Sequence, residues 1–585
     1  MDSTTDDDSC FALTSNYFTI SFAANPISER LLLSTINQHL KLGFLYRKGR
    51  FIDKNDVIYV NDNNNEVDNS SCYFQIVAGF TIEICRPYQE DGSQPFLLNI
   101  NAKLFTLDAG FSPFMYDKLS HTYRDILRHQ ASVSADKCFE KIRNYARYLA
   151  ESVRYKQIVI DLNPIEYEAR ILPQPRLLPP DGDHCGQFYD TDFEPCKWAI
   201  ISLNDKRFED DESILTSFRD GIIAKAVKYG MSRALSKEDC VQCQSIRINS
   251  PQEMGCYFSR LATNDQIRLA IVLINEGISL ANVHNAQTVF NLSEYLARKN
   301  NFSCFNFASH ELLGDNGGDV LIDRVVIKLC RTFNGSVNIV DCDYLNHQVM
   351  KLHCPSFDIG RTMVIGCYHR KEGQKSATGF WVSLDDRMNK AVKWTDGLTL
   401  EQMVKAMEQF KQTNDEYPNF IFLFRNLLSF ERLPNVHFEA MISIIQDVMT
   451  KLDMTNTKLT CLLVEKKPRE CLMKGSGGGT MYGTMAEAPF KRSLIVGYKS
   501  FCLFADNSNY GLKLLRPTKY HVIRDQMQLP VSVLAQFCFA LCHYKVQSFF
   551  VNDVPVCLEL ADDMAKLRIQ TMNTKEFMSL NNLNI

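Results

Sequence analysis

The segment that decides the fold is LLRPTKYHVIRDQMQLPVSVLAQFCFALCHYKV, residues 514–546. Its cysteines lie in the apolar run FCFALC, where a thiol behaves as a small hydrophobic side chain. Eight of its side chains are used below: Arg516, Pro517, Thr518, Tyr520, Val522, Leu541, Cys542 and His543. What the segment means depends on the chain around it.

The composition is that of an ordinary globular protein, with 45% hydrophobic and 23% charged residues. A chain of 585 residues exceeds one core and should form about three or four units. The acidic start MDSTTDDDS predicts no secretory signal, and no run approaches the ~18 apolar residues of a membrane span. We therefore expect a soluble intracellular protein without membrane contact. Its location is predicted as the cytoplasm, with the nucleus as the alternative, and its 20 cysteines as mainly buried reduced thiols.

The net charge of -4 does not mark a nucleic-acid binder, so any such role must rest on local basic clusters. The proline-rich stretch RILPQPRLLPPDGD, 170–183, predicts an extended connector and the clearest boundary in the chain. Before it, a hairpin loop at 60–71 and a strand at 94–105 indicate a smaller α+β region. Beyond it, helical segments alternate with apolar strands, which predicts α/β units: KWAIISL, IRLAIVLI, NFIFLF, KLTCLLV and RSLIVG.

Three short motifs offer chemistry, and each also has a plain structural explanation. CVQC, Cys240 to Cys243, has zinc-knuckle spacing, but no second pair follows, so a metal site is not favoured. KGSGGGT, 474–480, lacks the order of a phosphate-binding loop and indicates a mobile loop. KKPR, 466–469, follows an apolar strand and is either a solvated turn or an edge that contacts phosphates.

SEYLARK places Tyr295 and Lys299 four residues apart, hence on one helix face. An ammonium beside a phenol can hold a terminal phosphate while the ring stacks on a base. The alternative is an exposed amphipathic face. Metal-dependent hydrolysis would instead require converging carboxylates, but two apolar strands end in Cys367-Tyr368 and Arg425-Asn426.

The segment 514–546 resembles the Argonaute/Piwi signature, in which an Arg-Pro-Thr/Ser-x-Tyr-x-Val strand is followed by a helix ending in Leu-Cys-His. The resemblance implies a multidomain α/β protein, with a Rossmann-like MID domain and a ribonuclease H-like PIWI domain after a reduced α+β N-terminal region. It predicts an N-terminal and first-linker region at 1–138, a second linker at 139–190, MID at 191–350 and PIWI at 351–585. About thirty residues separate the two linker segments, so we expect a full PAZ domain to be missing.

Members of this family that cut RNA use a tetrad of three acids and a final Asp or His. The resemblance puts Tyr368 on the first aspartate and Asn426 on the second. The loop that carries the family's catalytic glutamate falls near Thr395 and Asp396, where no residue matches that glutamate. Asp562 is the remnant of the last tetrad position. We therefore predict no catalytic residues, no cleavage and no metal cofactor, with Mg²⁺ only as a phosphate counterion.

The half of the family's site that holds the guide is better matched. Tyr295 and Lys299 fit the Tyr-x-x-x-Lys pair that receives the guide's 5′ phosphate. The resemblance adds these residues to the predicted 5′-end pocket: His310, Lys328, Arg331 and the C-terminal Ile585. It assigns contact with the RNA backbone to Lys466, Lys467 and Arg469.

These observations give a leading hypothesis and two rivals. The first is a cleavage-inactive protein of RNA interference that binds a small guide RNA, pairs it with complementary target RNA and silences through pathway proteins. The second is a scaffold of MID-PIWI shape that no longer binds a guide. The third is a nuclease with a rearranged site, resting on Asp396, Asp562 and Asp563.

Overall fold

The computed structural model describes most of the chain. Described are residues 11–22, 34, 36, 45–47, 50–61, 73–85, 96–108, 135–153, 158–178, 196–210, 212–229, 231, 235–275, 277–278, 280, 286–313, 317–332, 339–388, 390–428, 436–466, 468, 471–474, 482–487, 499–505, 517–544 and 551–580.

The N-terminal part is an antiparallel sheet with one helix packed on it. Its strands are β1 Phe11–Phe22, β2 Leu45–Arg47, β3 Arg50–Asn61, β4 Tyr73–Cys85, β5 Phe96–Asp108 and β6 Ile158–Ile171, with helix α1 Ala135–Val153 between the last two. β3 and β4 pair antiparallel on either side of the predicted hairpin loop, and the predicted strand at 94–105 is β5. Apolar side chains of α1 pack against β1, β4, β5 and β6.

Buried asparagines connect this sheet to the distant C-terminal half. The amide of Asn16 on β1 donates to Ile100 O and to Asn101 Oδ1, both at 3.1 Å. Its oxygen accepts from the backbone N–H of Cys471 at 3.0 Å. Asn16 and Asn99, which accepts from Asn101, are fully buried. The amides therefore bond to each other and hold the backbone just beyond the basic segment at 466–469.

The middle part is a parallel sheet with helices on both faces. Its elements are β7 Trp198–Leu203, α2 Lys206–Asp210, α3 Ser213–Lys228, β8 Cys240–Ile246, α4 Pro251–Thr263, β9 Leu269–Ile274, α5 Ala286–Lys299, β10 Ser303–Ala308, α6 His310–Leu313 and α7 Gly317–Thr332. The strands lie in the order β10-β9-β7-β8, all parallel. One core lies between the sheet and α3 and α7, and another between the sheet and α4 and α5.

The C-terminal part begins after a π-helix, Tyr344–Met350, and a short 3₁₀ helix, Ile359–Arg361. Its elements are β11 Thr362–Glu372, β12 Lys375–Ser383, β13 Ala391–Thr395, α8 Leu400–Asn414, β14 Phe420–Asn426, α9 Val436–Lys451, β15 Lys458–Glu465, β16 Leu472–Lys474, β17 Thr484–Glu487, β18 Lys499–Phe504, β19 Thr518–Asp525, α10 Val531–His543 and α11 Val556–Leu580. The decisive segment is thus a strand, β19, followed by helix α10, which ends at His543.

The strands of the first and third parts form one large sheet. Its order is β13-β12-β11-β14-β15-β19-β18-β17-β6-β1-β5-β4-β3-β2, with β16 paired to β1. β14 is parallel to both β11 and β15, whereas β12 is antiparallel to β11. In chain order the first five C-terminal strands are therefore arranged 3-2-1-4-5. The parallel strands end at the same edge, which brings residues after β11 and β14 together.

Local sequence explains where the helices begin. Thr399 accepts from the Gln402 N–H at 3.2 Å, and the Gln402 side chain accepts from the Thr399 N–H at 3.1 Å, a capping box that starts α8. Ser250 caps α4, with Pro251 at the first helical position. The apolar segments that were predicted as strands lie in β7, β9, β14 and β15, whereas RSLIVG lies outside the described residues.

Helix α11 packs against the sheet at two glycines. A Cβ at Gly366 on β11 would overlap the carbonyl oxygen of Cys557. At Gly379 on β12 it would overlap the carbonyl oxygen of Ala561 and lie 2.7 Å from Ala565 N. The absent side chains therefore let the helix backbone touch the sheet. No helix in the described part of the chain is long and apolar enough to span a bilayer.

Candidate functional site

The three predicted remnants of the catalytic tetrad meet at one edge of the large sheet. Tyr368 lies on β11 directly after the last residue paired with β14, and Asn426 ends β14. The two strands are parallel, with Cys367 opposite Arg425. Asp562 lies on α11, which covers this face of β11, and its charge acts on the Tyr368 phenol. Sequence reasoning therefore selected positions that the fold brings together.

Asn426 uses both ends of its amide to hold the neighbouring strand. Its Oδ1 accepts from the His369 N–H at 2.7 Å, and its Nδ2 donates to the His369 carbonyl at 2.9 Å. The side chain is 4% exposed. The amide thus continues the pairing of β11 and β14 past the last backbone bond, because it supplies both the donor and the acceptor that the two bonds require.

Asp562 is held by a cation. Arg370 Nη1 donates to both carboxylate oxygens of Asp562, at 2.7 and 2.9 Å, and its Nε donates to Glu372 at 2.6 Å. Lys466 forms a second pair with Asp553, Nζ to Oδ1 at 2.9 Å. Asp562 and Asp553 are therefore already paired with protein cations.

Tyr368 is a neutral side chain at physiological pH. Burial, with the nearby Asp562 charge second, raises the pKa of its phenol, and the charges of Lys466 and Arg370 oppose the rise. Its neighbours serve packing and hydrogen bonding. Cys367 is buried with its Sγ 3.9 Å from Met441 Sδ, and His369 Nδ1 lies 2.8 Å from Thr378 Oγ1. Neither arrangement is that of an activated nucleophile.

The remaining acidic position is also tied to a cation. Asp396 follows β13 with φ +75°, and its Oδ2 lies 2.7 Å from Arg568 Nη2 on α11. Across the described ranges, no three His, Cys, Asp or Glu side chains are grouped so that they could hold a metal ion. Two Mg²⁺ ions about 4 Å apart would need several unpaired carboxylates, which this edge does not present in its described part.

The second predicted site lies where α5 contacts β10 and α11. Tyr295 is partly buried against the core under α5, and Lys299, one turn later, is exposed. Arg298 on the same helix donates to Thr571 Oγ1 of α11 at 2.9 Å. The predicted helix face therefore exists and borders the C-terminal helix.

Lys328 on α7 is turned toward aromatic rings. Its Nζ lies 4.3 Å from the centroid of Phe307 and 5.9 Å from that of Phe305. Burial, followed by the charge of Arg324, lowers the pKa of the Lys328 ammonium, and Glu294 on α5 acts in the opposite direction. The ammonium is thus stabilised by ring faces.

The other predicted contacts are only partly covered by the structure. His310 is exposed at the start of α6. Arg331 lies in α7, but its side chain is outside the described residues. Lys467, Arg469 and Ile585 lie outside them as well.

Sequence reasoning missed the cations at the remnant site. A signal was present, because residues two apart on a strand share a face, so Arg370 had to point the same way as Tyr368. The sequence contains no comparable pattern that would predict Asp553 as the partner of Lys466, because the two residues are far apart in the chain.

Comparison with known proteins agrees with this architecture. The Piwi domain family model matches residues 291–573. The Piwi-like protein Siwi of Bombyx mori is 24% identical over an alignment of 238 residues, which covers 37% of this chain and only 26% of that protein. The fold is that of Drosophila Piwi, with TM-score 0.67 and 12% identity over 95% of this chain and 97% of that one. Kluyveromyces polysporus Argonaute, solved with a guide RNA, gives TM-score 0.70 and 13% identity over 94% of this chain and 79% of its own. The predicted signature and the strand order agree with these findings: residues 291–573 match the Piwi domain, and the chain has the fold of Argonaute and Piwi proteins.

Proposed function

We propose that this protein holds the 5′ end of a small guide RNA and pairs it with a target RNA that it does not cleave. The second part of this proposal, that the target is not cleaved, rests on the remnant catalytic site. Two neutral side chains, Tyr368 and Asn426, lie where the parallel pairing of β11 and β14 ends, and Asp562 is paired with Arg370. Silencing would then depend on partner proteins of the pathway, in the cytoplasm or the nucleus.

The guide-binding half rests on α5. Lys299 supplies a positive charge at the helix surface, one turn from the Tyr295 ring. A 5′ phosphate would bind the ammonium, and the first base would stack on the phenol. A relative of the same fold was solved with a guide RNA, which makes RNA the first ligand to test.

We expect the Tyr295→Ala, Lys299→Ala double variant to lose guide binding. Removing a charge-assisted hydrogen bond and a stacking surface should cost about 3 kcal/mol, on the order of 100-fold in affinity. The measurement is the dissociation constant for short RNA carrying a 5′ phosphate, together with sequencing of RNA that co-purifies with each variant.

The matched control is Lys228→Ala, which removes an exposed lysine from the last turn of α3. It should leave both binding and the co-purified RNA as in the unaltered protein. The proposal is wrong if the unaltered protein enriches no short-RNA size class over the double variant, or if RNA with a 5′ phosphate binds the unaltered protein and the double variant with equal affinity.

Restoring one carboxylate should not restore cutting. In Tyr368→Asp, the new acid would share the edge with Asp562, which Arg370 holds, and with the neutral amide of Asn426. We expect no Mg²⁺-dependent cleavage of a target matched to the bound guide. Gel analysis of end-labelled target, with and without EDTA, measures this. Detectable cleavage by the single variant would overturn the assignment of an inactive site.

One observation favours the scaffold as a second candidate. Lys328, predicted for the phosphate pocket, has its ammonium over Phe307. If that lysine stays on the ring, the pocket has one cation fewer for a phosphate. Undiminished association with protein partners in the Tyr295, Lys299 double variant, with no RNA bound to the unaltered protein, would select this candidate.

A further inference from the structure

The CVQC motif lies on β8, the edge strand of the middle sheet, and plays no part in the sites above. Residues three apart on a regular strand point to opposite faces. Here Trp198 pairs with Cys240 and Ala199 with Gln242, so Val241 is the extra residue of a β-bulge. Cys243 pairs with Ile200 two positions further along β7.

The bulge places both thiols on the same face. Trp198 and Ile200 are two apart on β7 and belong to one core, that between the sheet and helices α3 and α7. Cys240 and Cys243 are both partly buried and pack against this core. An edge strand leaves them reachable from solvent on one side.

The surroundings favour a thiolate at one member of the pair. Interaction with the Cys240 thiol is the largest effect on the pKa of Cys243 and lowers it, and the charge of Arg219 on α3 lowers it further. Burial and the charge of Asp220 raise it. The same interaction raises the pKa of Cys240. The Cys240 thiol donates to the Gln242 carbonyl at 3.4 Å, inside the same bulge.

Other thiols in the described part of the chain differ from Cys243 in the direction in which their pKa is shifted. Among those whose pKa is displaced, Cys243 alone is shifted downward. Burial raises the pKa of the fully enclosed Cys461 and Cys557, which makes these thiols inert. Cys256 on α4 is exposed and serves as an internal reference.

We propose that Cys240 and Cys243 form a peroxide-sensitive dithiol, in which Cys243 is oxidised first and Cys240 resolves it. The Cys243 thiolate attacks a peroxide oxygen, the O–O bond breaks, and the released hydroxide takes a proton to become water. Cys243 is then a sulfenic acid. Cys240 loses its proton and attacks the Cys243 sulfur, the S–O bond breaks, and the hydroxide leaves as water with that proton.

In total, two thiols and one hydrogen peroxide give one disulfide and two waters, and a small dithiol reductant reverses the change. Peroxide oxidises both sulfurs and is itself reduced. The bulge brings the two Cα atoms closer than the same two positions of a regular strand, because they lie opposite residues only two apart on β7.

The test treats the reduced full-length protein with a series of hydrogen peroxide concentrations, quenches with acid and quantifies cysteine peptides by mass spectrometry. We expect the peptide with both cysteines to lose two hydrogens at a rate about 10-fold above oxidation of Cys256. Dithiothreitol should restore it. In Cys240→Ser, a 1,3-diketone should trap a sulfenic acid at Cys243, and Cys243→Ser should give neither product.

The unaltered protein gives a second readout that needs no folding of variants. Alkylation by iodoacetamide at rising pH should modify Cys243 at a lower pH than Cys256. The proposal is wrong if Cys256 reacts first in either experiment, if Cys240→Ser and Cys243→Ser give the same products, or if dithiothreitol does not reverse the oxidation.

Discussion

Replacing Gly379 by alanine should release helix α11 from the sheet. The added methyl group would overlap the backbone of the helix at Ala561 and lie 2.7 Å from Ala565 N, and backbone cannot move aside as a flexible side chain can. We expect a loss of about 3 kcal/mol, near the upper end of overpacking costs. Gly366→Ala should behave alike, since its Cβ would overlap the Cys557 carbonyl.

Hydrogen exchange followed by mass spectrometry measures this effect locally. Amides of α11 should exchange on the order of 100-fold faster, whereas those of β7 and β9 in the middle sheet should be unchanged. The control is Gly373→Ala, in the turn between β11 and β12, where φ is +60° and nothing lies within 4 Å of an added Cβ. It should cost only about 1 kcal/mol of left-handed backbone strain. Equal exchange in Gly373→Ala and Gly379→Ala would contradict the close approach.

Replacing Asn16 by leucine should weaken the attachment of β16 to the N-terminal sheet. The substitution keeps a branched side chain but leaves the Cys471 N–H and the Ile100 carbonyl without their amide partner. Each buried polar group that loses its bond costs roughly 1–3 kcal/mol, so we expect about 3 kcal/mol in all. The observable is faster exchange at β16 and a lower urea midpoint of unfolding.

Asn163→Ala is the matched control for this amide. Asn163 is exposed, and its side chain bonds to Asp161 Oδ1 two residues away at 3.0 Å. Its removal should change stability by less than about 0.5 kcal/mol. If β16 exchanges at the same rate in Asn16→Leu as in Asn163→Ala, the buried amides do not hold the basic segment in place.

Much of the fold was predictable because apolar runs and one specific signature mark it. KWAIISL, NFIFLF and KLTCLLV are buried at nearly every position, as strands covered on both faces must be. The end of α10 at His543 followed from the signature alone. The joining of the N-terminal strands to the C-terminal sheet was not predictable, because the pairing of β6 with β17 joins residues about three hundred apart.

The positions of the candidate site residues could be proposed from the sequence, but the side-chain contacts of these residues could not. Tyr368, Asn426 and Asp562 were aligned from short motifs, and the fold brings them to one edge. The partners were hidden, because nothing in the local sequence pairs Asp562 with Arg370 or places Lys328 over Phe307. The contacts of long charged side chains depend on the tertiary structure. Residue type alone therefore does not show whether a Lys or Arg is already bound to another group of the protein.

The amide of Asn426 has a consequence for how such a site could change over generations. Its two bonds to His369 lock the strand ends, so an aspartate there would lose the donated bond before any metal could compensate. An aspartate at 368 would likewise gain nothing while Arg370 holds Asp562. Under the proposed function, a single change toward metal binding is therefore unfavourable alone, and only several changes together would create a metal site. The two bonds of Asn426 thus help to keep the site as it is, because its amide is part of the strand pairing.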